Sequence, residues 1–226
     1  VWKNIGMEAK KPDGSWLMID DEVFEPVFAF LAEERIPLLA HIGEPLACWQ
    51  PADAKSPHSA YYAAHPEWHF YGRKDHPSHG EIIEARDRML ANHPDLHVVG
   101  AHLASLEYDL DEIADRLDRF PNLAVDTSAR MWDLAMNPPD RVAEFIHTYR
   151  NRILWGTDIV DRDATARAES WRRTYTRESR YYETAECLEA PFGTVTGVNL
   201  DAETLDCIYR ANALAWYPKL SSRAMW

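Results

Sequence analysis

The sequence predicts an α/β protein built around a parallel β-sheet, and three observations support this fold class. Short apolar segments of strand length alternate with longer segments in which apolar residues recur at helical spacing. Polar residues directly follow several of the apolar segments. No glycine-rich phosphate loop of the GxGxxG or GxxxxGK[ST] type follows any of them. Strands alternating with helices indicate either an open doubly wound sheet or part of an (α/β)8 barrel.

The N-terminal part of the chain predicts two strands, one helix and a long loop. We expect strands over residues 1–8 and 36–41, with a helix over 22–34 between them that a pair of aspartates can cap. The segment 46–79 contains five of the ten histidines and shows no steady hydrophobic period. Loops of this length inside compact domains are usually functional, so we interpret 46–79 as an active-site loop insertion.

The rest of the chain alternates helices and strands more regularly. Ser105 can cap one of these helices, and the end of the chain is expected to be mainly helical. The predicted helices cover 80–92, 105–120, 141–150 and 201–217, and the predicted strands cover 96–102, 122–126 and 153–158.

Composition and charge argue against several functional classes. The 37 acidic and 24 basic side chains give a net charge of −13, which argues against a surface for nucleic acid or anionic membranes. The three cysteines form no CxxC pair, so a disulfide framework is not expected. No apolar run approaches the ~18–20 residues that cross a bilayer. We expect a small-molecule substrate, favour a cytoplasmic location and allow a homo-oligomer; because the chain begins at Val1, its start does not settle secretion.

Polar side chains collect at the ends of the predicted strands. The carboxyl ends of parallel strands lie along the same edge of a sheet. We therefore expect these side chains to border one cavity at that edge, the mouth of the sheet. Imidazole and carboxylate together are the ligand set of Zn, Mn and Fe. The residues concerned are Glu8, His41 with Glu44, His102, Asp126 and Asp158. Each of them alone also has a structural interpretation; Asp158, for example, could cap the helix that follows it.

The motifs at these strand ends resemble the amidohydrolase superfamily. HIGEP (41–45), VVGAH with the segment that follows it (98–126) and ILWGTD (153–158) are similar to its amidohydrolase-2 branch. That branch includes aminocarboxymuconate-semialdehyde decarboxylase, related aromatic-acid decarboxylases and many hydrolases. IYRANALAWYP (208–218) resembles its C-terminal helix. The resemblance implies a (β/α)8 TIM-type barrel with one or two divalent metals at its mouth, of which this chain holds about strands 4–8.

The resemblance also implies roles for individual residues. His41 matches the metal ligand of the fifth strand, His102 the histidine of the sixth, and Asp158 the aspartate of the eighth. The implied cofactor is a divalent metal, Zn in the first place, with Mn or Fe as alternatives. The HxH pair that completes the family's ligand set does not occur in the sequence. We therefore expect residues 1–226 to be a single barrel domain without its N-terminal strands.

Three functions remain open at this point. The leading hypothesis is hydrolysis of a C–N or C–O bond by metal-activated water, with Asp158 and His102 as the catalytic groups. Its rival is non-oxidative decarboxylation of an aromatic or unsaturated carboxylic acid by the same metal centre. The third is a binding protein or a catalytically incomplete fragment. Glu44, Trp49 and Arg130 are the expected substrate contacts, and a carboxylate site at Arg130 favours the rival.

Overall fold

The centre of the structure is a parallel sheet of four strands. The structure is a computed structural model that describes residues 1–159 and 167–221. The strands pair in chain order, with Leu38 opposite Val98 and Val125 opposite Ile153. The predicted fold class is thus confirmed as α/β with a parallel sheet, which within the described residues does not close into a barrel. The strands are β1 (Leu38–Ala40), β2 (Val98–Gly100), β3 (Leu123–Asp126) and β4 (Ile153–Leu154).

Helices connect and cover these strands. The helices predicted over 22–34, 80–92 and 141–150 are confirmed, and the segment 201–217 is helical with a π-turn at Cys207–Ala211. The helices are α1 (Glu25–Glu33), α2 (Ser59–Ala64), α3 (His79–Asn92), α4 (Ala101–Ala104), α5 (Leu110–Arg119), α6 (Met131–Leu134), α7 (Pro139–Thr148), α8 (Arg167–Glu183), α9 (Ala202–Asp206), α10 (Asn212–Trp216) and α11 (Pro218–Ser221). Short 3-10 turns occur at Glu22–Phe24, Leu46–Trp49 and Pro66–Trp68.

Side chains cap the starts of α3, α5 and α9, but one predicted cap is not among them. Ser78 and Glu81 form a reciprocal capping box at α3, in which the Glu81 carboxylate accepts the Ser78 N–H at 2.7 Å. The expectation that Ser105 caps the next helix is wrong. Asp109 caps α5 by accepting the N–H of Asp111 at 2.9 Å, because Ser105 belongs to a tight turn that precedes it.

The predicted strand over 1–8 is wrong. Only Val1 bonds to the edge of β1, through its ammonium to the Leu39 carbonyl (2.8 Å) and its carbonyl to the His41 N–H (3.2 Å). The chain then turns, because the Asn4 carbonyl accepts several following N–H groups and Gly6 takes a left-handed φ of +86°. Glu8 is consequently exposed and does not lie at the mouth of the sheet.

A two-stranded hairpin replaces part of the predicted helical tail. Strand β5 (Cys187–Ala190) pairs antiparallel with β6 (Gly193–Thr196), and Pro191 and Phe192 form the loop between them. Leu188 and Val195 face inward while their neighbours are more exposed, so the segment has the period of two typical of strands. The run is too short for that period to stand out in the sequence.

The core lies on both faces of the sheet. The larger cluster packs α3, α5 and α7 against one face, and a smaller cluster of Val99, Ala124, Leu154 and Trp216 covers the other. Asn212 ties α10 to the sheet, because its amide donates to the Ile153 carbonyl at 2.7 Å. No helix within the described ranges is long and apolar enough to span a membrane.

Candidate functional site

A cavity of about 600 Å³ opens where the four parallel strands end. Each strand contributes to it through the residues that follow it, and the loop 46–79 supplies much of the remaining wall. The cavity is therefore a product of the sheet topology, as expected for a parallel sheet. It is lined by Trp2, Lys3, His41, Glu44, Pro45, His58, Tyr61, Tyr62, His65, Glu67, Trp68, His102, Ala129, Arg130 and Asp158.

His41 and His102 meet at the base of this cavity. Their ring centroids are 4.5 Å apart and their planes are inclined by 70°. Burial lowers the pKa of His41 to about 3, and the positive charges of His102, Lys3 and Arg130 act in the same direction. His41 is therefore neutral near pH 7 and carries a lone pair that can bind a metal.

Hydrogen bonds fix the tautomer of His102. Its Nδ1 lies 2.7 Å from the Ser128 carbonyl oxygen, which only accepts, so Nδ1 carries the proton. Burial, followed by the charge of Arg130, lowers the pKa of His102, which leaves Nε2 as a free lone pair. Asp126 accepts the backbone N–H groups of His102 (2.9 Å) and Ser128 (3.0 Å), so its carboxylate holds the backbone of the site together.

The backbone that carries His102 winds left-handed. Four consecutive residues, His102 to Ser105, have φ between +56° and +59°, although none is glycine. This conformation costs roughly 1–2 kcal/mol per residue. Two buried side chains of α3 hold it: Arg86 donates to the Ala104 carbonyl, and the His79 Nε2 lies 2.9 Å from the Ser105 carbonyl. The strain therefore sits where His102 enters the cavity.

Glu44 lies in the cavity wall, but its charge is already matched. Its carboxylate is paired with the Lys3 ammonium and accepts the Tyr62 hydroxyl at 3.1 Å. The ammonium also lies 3.8 Å from the centroid of the Trp68 ring, a cation–π contact. Lys3 and Glu44 are 4% and 5% exposed, so this pair is a buried part of the wall.

Arg130 presents a buried guanidinium with unused donors. It follows β3 and is 7% exposed, its Nη1 donates to the Ala129 carbonyl at 3.0 Å, and its Nε has no partner. Among the described residues no carboxylate forms an ion pair with it. The charge of Arg130 acts on the carboxyl of Glu107, but the larger effect is burial, which raises the pKa of that carboxyl and favours its neutral form. The cavity thus contains a cation that can receive an anionic ligand.

Asp158 borders the cavity, whereas Trp49 does not. Asp158 is exposed and has a φ of +54° beyond the end of β4. The indole of Trp49 instead packs edge-on against Phe70 and His79, and its Nε1 donates to the Pro77 carbonyl at 3.0 Å. This side chain packs against the core beneath the loop and does not border the cavity. The structure therefore does not support Trp49 as a substrate contact.

Several residues of the cavity have individual contacts that the sequence did not predict. Lys3 lies in the segment 1–8, which the sequence predicted as a strand, and His58, Tyr62 and Trp68 lie in the loop 46–79, which has no hydrophobic period. Their only signal was the density of aromatic residues and histidines in that loop. Their partners lie far away in the chain, so no local pattern distinguishes them.

The donor chemistry of the cavity fits a divalent metal. His41 and His102 each offer the lone pair of a neutral imidazole, and Asp158 offers a carboxylate at the same cavity. In the part of the chain that the structure describes, no three His, Cys, Asp or Glu side chains are gathered into a ready-made metal site. These residues are therefore suited to be ligands without being fully assembled as a ligand set.

Comparison with known proteins gives one family match and several structural likenesses. The profile of Amidohydro_2 (Amidohydrolase) matches residues 7–219. No curated protein matches the chain. Similar solved structures include the uncharacterized TIM-barrel protein Bb4693 from Bordetella bronchiseptica, which is 20% identical with a TM-score of 0.47 and 90% of this chain covered. The chain covers 54% of that protein, so it spans about half its length.

Two further structures are decarboxylases. A 2,6-dihydroxybenzoate decarboxylase complexed with 2,6-dihydroxybenzoate is 18% identical, with a TM-score of 0.49, 94% of this chain covered and 60% of that one. The 5-carboxyvanillate decarboxylase LigW from Sphingomonas paucimobilis is 15% identical, with a TM-score of 0.46 and coverages of 93% and 56%.

Proposed function

The chain belongs to the amidohydrolase family, and from this premise we propose that its cavity is the active site of a metal-dependent decarboxylase. The proposed substrate is a small aromatic or unsaturated carboxylic acid. The observation that carries this proposal is the buried Arg130 guanidinium, which has free donors and no carboxylate partner among the described residues. The sequence favoured hydrolysis over decarboxylation, whereas the surroundings of Arg130 favour decarboxylation.

Three residues would hold the metal. We assign this role to His41, His102 and Asp158, which border one cavity and offer nitrogen and oxygen donors. A divalent ion, Zn or alternatively Mn or Fe, would supply positive charge next to the reacting group of the substrate when bound. The hydrogen bond from His102 Nδ1 to Ser128 orients this ligand, as second partners of metal-bound histidines commonly do.

The remaining cavity residues would bind and orient the substrate. Arg130 is suited to a carboxylate, because a guanidinium donates two parallel hydrogen bonds to its oxygens. The rings of Tyr61 and Trp68 border the same cavity and offer surfaces for a planar substrate. Glu44 is proposed to act through Lys3, whose ammonium it holds above the Trp68 ring, instead of contacting the substrate directly.

Hydrolysis remains the second candidate, and a specific observation favours it. The exposed carboxylate of Asp158 borders the cavity together with the neutral His102. In a hydrolase, Asp158 would accept the proton of an attacking water, and His102 would be a ligand or exchange a proton with the leaving group.

Product analysis separates these functions. We would incubate the protein and Mn²⁺ or Zn²⁺ with hydroxybenzoic acids and with their amides and methyl esters, then measure CO2 and the aromatic products. We expect CO2 from the acids alone. Cleavage of the amides or esters without CO2 would favour hydrolysis, and saturable binding of the acids without any product would favour a binding protein.

A pair of arginine variants tests the carboxylate site. Arg130→Gln should raise KM for the acid by about 10–100-fold, since hydrogen bonds to charged groups contribute about 1.5–3 kcal/mol. Arg119→Gln is the matched control, because Arg119 is exposed and pairs with Asp115 at 3.2 Å on the surface of α5. Equal KM values in the two variants would contradict the assignment of Arg130.

A further inference from the structure

Besides His41 and His102, the imidazole of His58 borders the cavity, and a buried carboxylate lies behind it. His58 belongs to the loop 46–79, and its Nε2 lies 2.7 Å from Oδ1 of Asp133 on α6. The two side chains are 12% and 7% exposed. The pair therefore joins the loop to the sheet-side wall of the cavity through a short, largely buried hydrogen bond.

This contact leaves the other ring nitrogen of His58 available. A carboxylate accepts hydrogen bonds, so Nε2 carries a proton and donates it to Asp133. In the described part of the chain, Nδ1 has no hydrogen-bond partner. Asp133 thereby sets the orientation of the ring and balances the positive charge that the ring bears when both nitrogens are protonated. Imidazoles oriented by a carboxylate are common proton-transfer groups.

The proposed reaction needs a proton donor, and the three proposed metal ligands do not supply one. When a carboxyl group leaves as CO2, the electron pair of the broken C–C bond stays on the substrate carbon and must be protonated. In the proposed site His41 and His102 use their lone pairs for the metal, and Nδ1 of His102 donates to Ser128. Asp158 is assigned as a ligand in its carboxylate form, which carries no proton.

We propose that His58, oriented by Asp133, is the residue that delivers this proton. The inference rests on the proposed decarboxylation. In the step, the C–C bond to the carboxyl group breaks and CO2 leaves with both its oxygens. The electron pair left on the carbon takes the proton of His58 Nδ1–H, forming the new C–H bond. His58 becomes neutral with its Nε2–H still donated to Asp133, and it regains a proton from solvent.

Kinetics and proton exchange test this role. His58→Gln should lower kcat by about 10²–10⁴-fold, the usual contribution of a general acid, with KM changed less than about threefold. Asp133→Asn should lower kcat by a smaller factor. Exchange of the product's ring hydrogen in D2O, followed by proton NMR, is the same proton transfer in reverse and should slow in parallel. His147→Gln is the control, because His147 is exposed and faces Asp201 at 3.7 Å.

An NMR measurement that requires no turnover tests the role of His58 separately from the proposed decarboxylation. In protein labelled with ¹⁵N-histidine, benzoate should shift the Nδ1 resonance of His58, and Asp133→Asn should change the balance of its tautomers. Wild-type kcat and exchange rates in His58→Gln would overturn the inference, as would a His58 signal that benzoate leaves unchanged. If the wild type releases no CO2 while benzoate still shifts that signal, the proposed function fails and His58 as a ligand-facing imidazole is supported.

Discussion

At the scale of single residues, buried histidines in this protein differ in task because their surroundings differ. His41 and His102 border a cavity with their lone pairs free, whereas His79 is 5% exposed and its Nε2 is used by the Ser105 carbonyl. The sequence predicted the first two because each follows a strand directly. It did not predict the pair of His58 and Asp133, whose members lie 75 positions apart and meet only in the folded chain.

The burial of His79 should make the stability of the protein depend on pH. Burial lowers its pKa from 6.5 to about 4 in the folded state, so between these values the unfolded chain binds more protons. The stability due to neutral His79 is complete above pH 6.5 and is lost as the pH falls towards 4. Between pH 7 and pH 5, urea unfolding should show that the wild type loses about 2 kcal/mol more than His79→Gln.

The exposed His147 provides the control for this measurement. His147→Gln should retain the pH dependence of the wild type, because its ring is 61% exposed. An equal loss of stability in the wild type and in His79→Gln over this pH range would show that His79 is not held neutral by burial.

At the scale of elements, the sequence did not predict the left-handed turn after β2. His102 to Ser105 contains no glycine, so the sequence alone predicted an ordinary helix start there. The turn depends on Arg86 and His79 of α3, and Arg86 is itself held by Asp87 at 2.9 Å. The long amphipathic helices and the apolar strands were predictable from period and capping because those signals are local. The turn was not, because tertiary contacts stabilise it.

Gly100 tests how closely this turn packs on β2. A Cβ at Gly100 would lie 2.6 Å from the Cβ of Ala104, which is closer than two non-bonded carbon atoms approach. Gly100→Ala should therefore lower the free energy of unfolding by about 1–3 kcal/mol in chemical denaturation. Adding Ala104→Gly removes the opposing methyl group and should recover part of that loss.

Gly80 is the matched control for this substitution. It lies in α3, and a Cβ there would meet nothing within 4 Å. Gly80→Ala should stabilise the protein by about 0.5–1 kcal/mol, because alanine favours a helix over glycine. The close packing of the turn would be disproved if Gly100→Ala were as well tolerated as Gly80→Ala.

At the scale of the whole molecule, one sheet edge collects residues from four strand ends and one long loop. The parallel order of β1 to β4 explains why His41, His102, Arg130 and Asp158 border a single cavity. The alternation of strands and helices made this sheet and its mouth predictable. The individual contacts of the loop 46–79, such as Trp68 with Lys3 and His58 with Asp133, were not predictable, because they depend on residues distant in sequence.

The most direct test of the account is metal binding at this cavity. We would titrate the protein with Mn²⁺ and measure bound ion by equilibrium dialysis, in the wild type, His41→Ala, His102→Ala and His147→Ala. We expect one ion per chain in the wild type and in His147→Ala, and at least about tenfold weaker binding in the His41 and His102 variants, since metal ligands contribute strongly to affinity. Undiminished Mn²⁺ binding in both His41→Ala and His102→Ala would contradict the account.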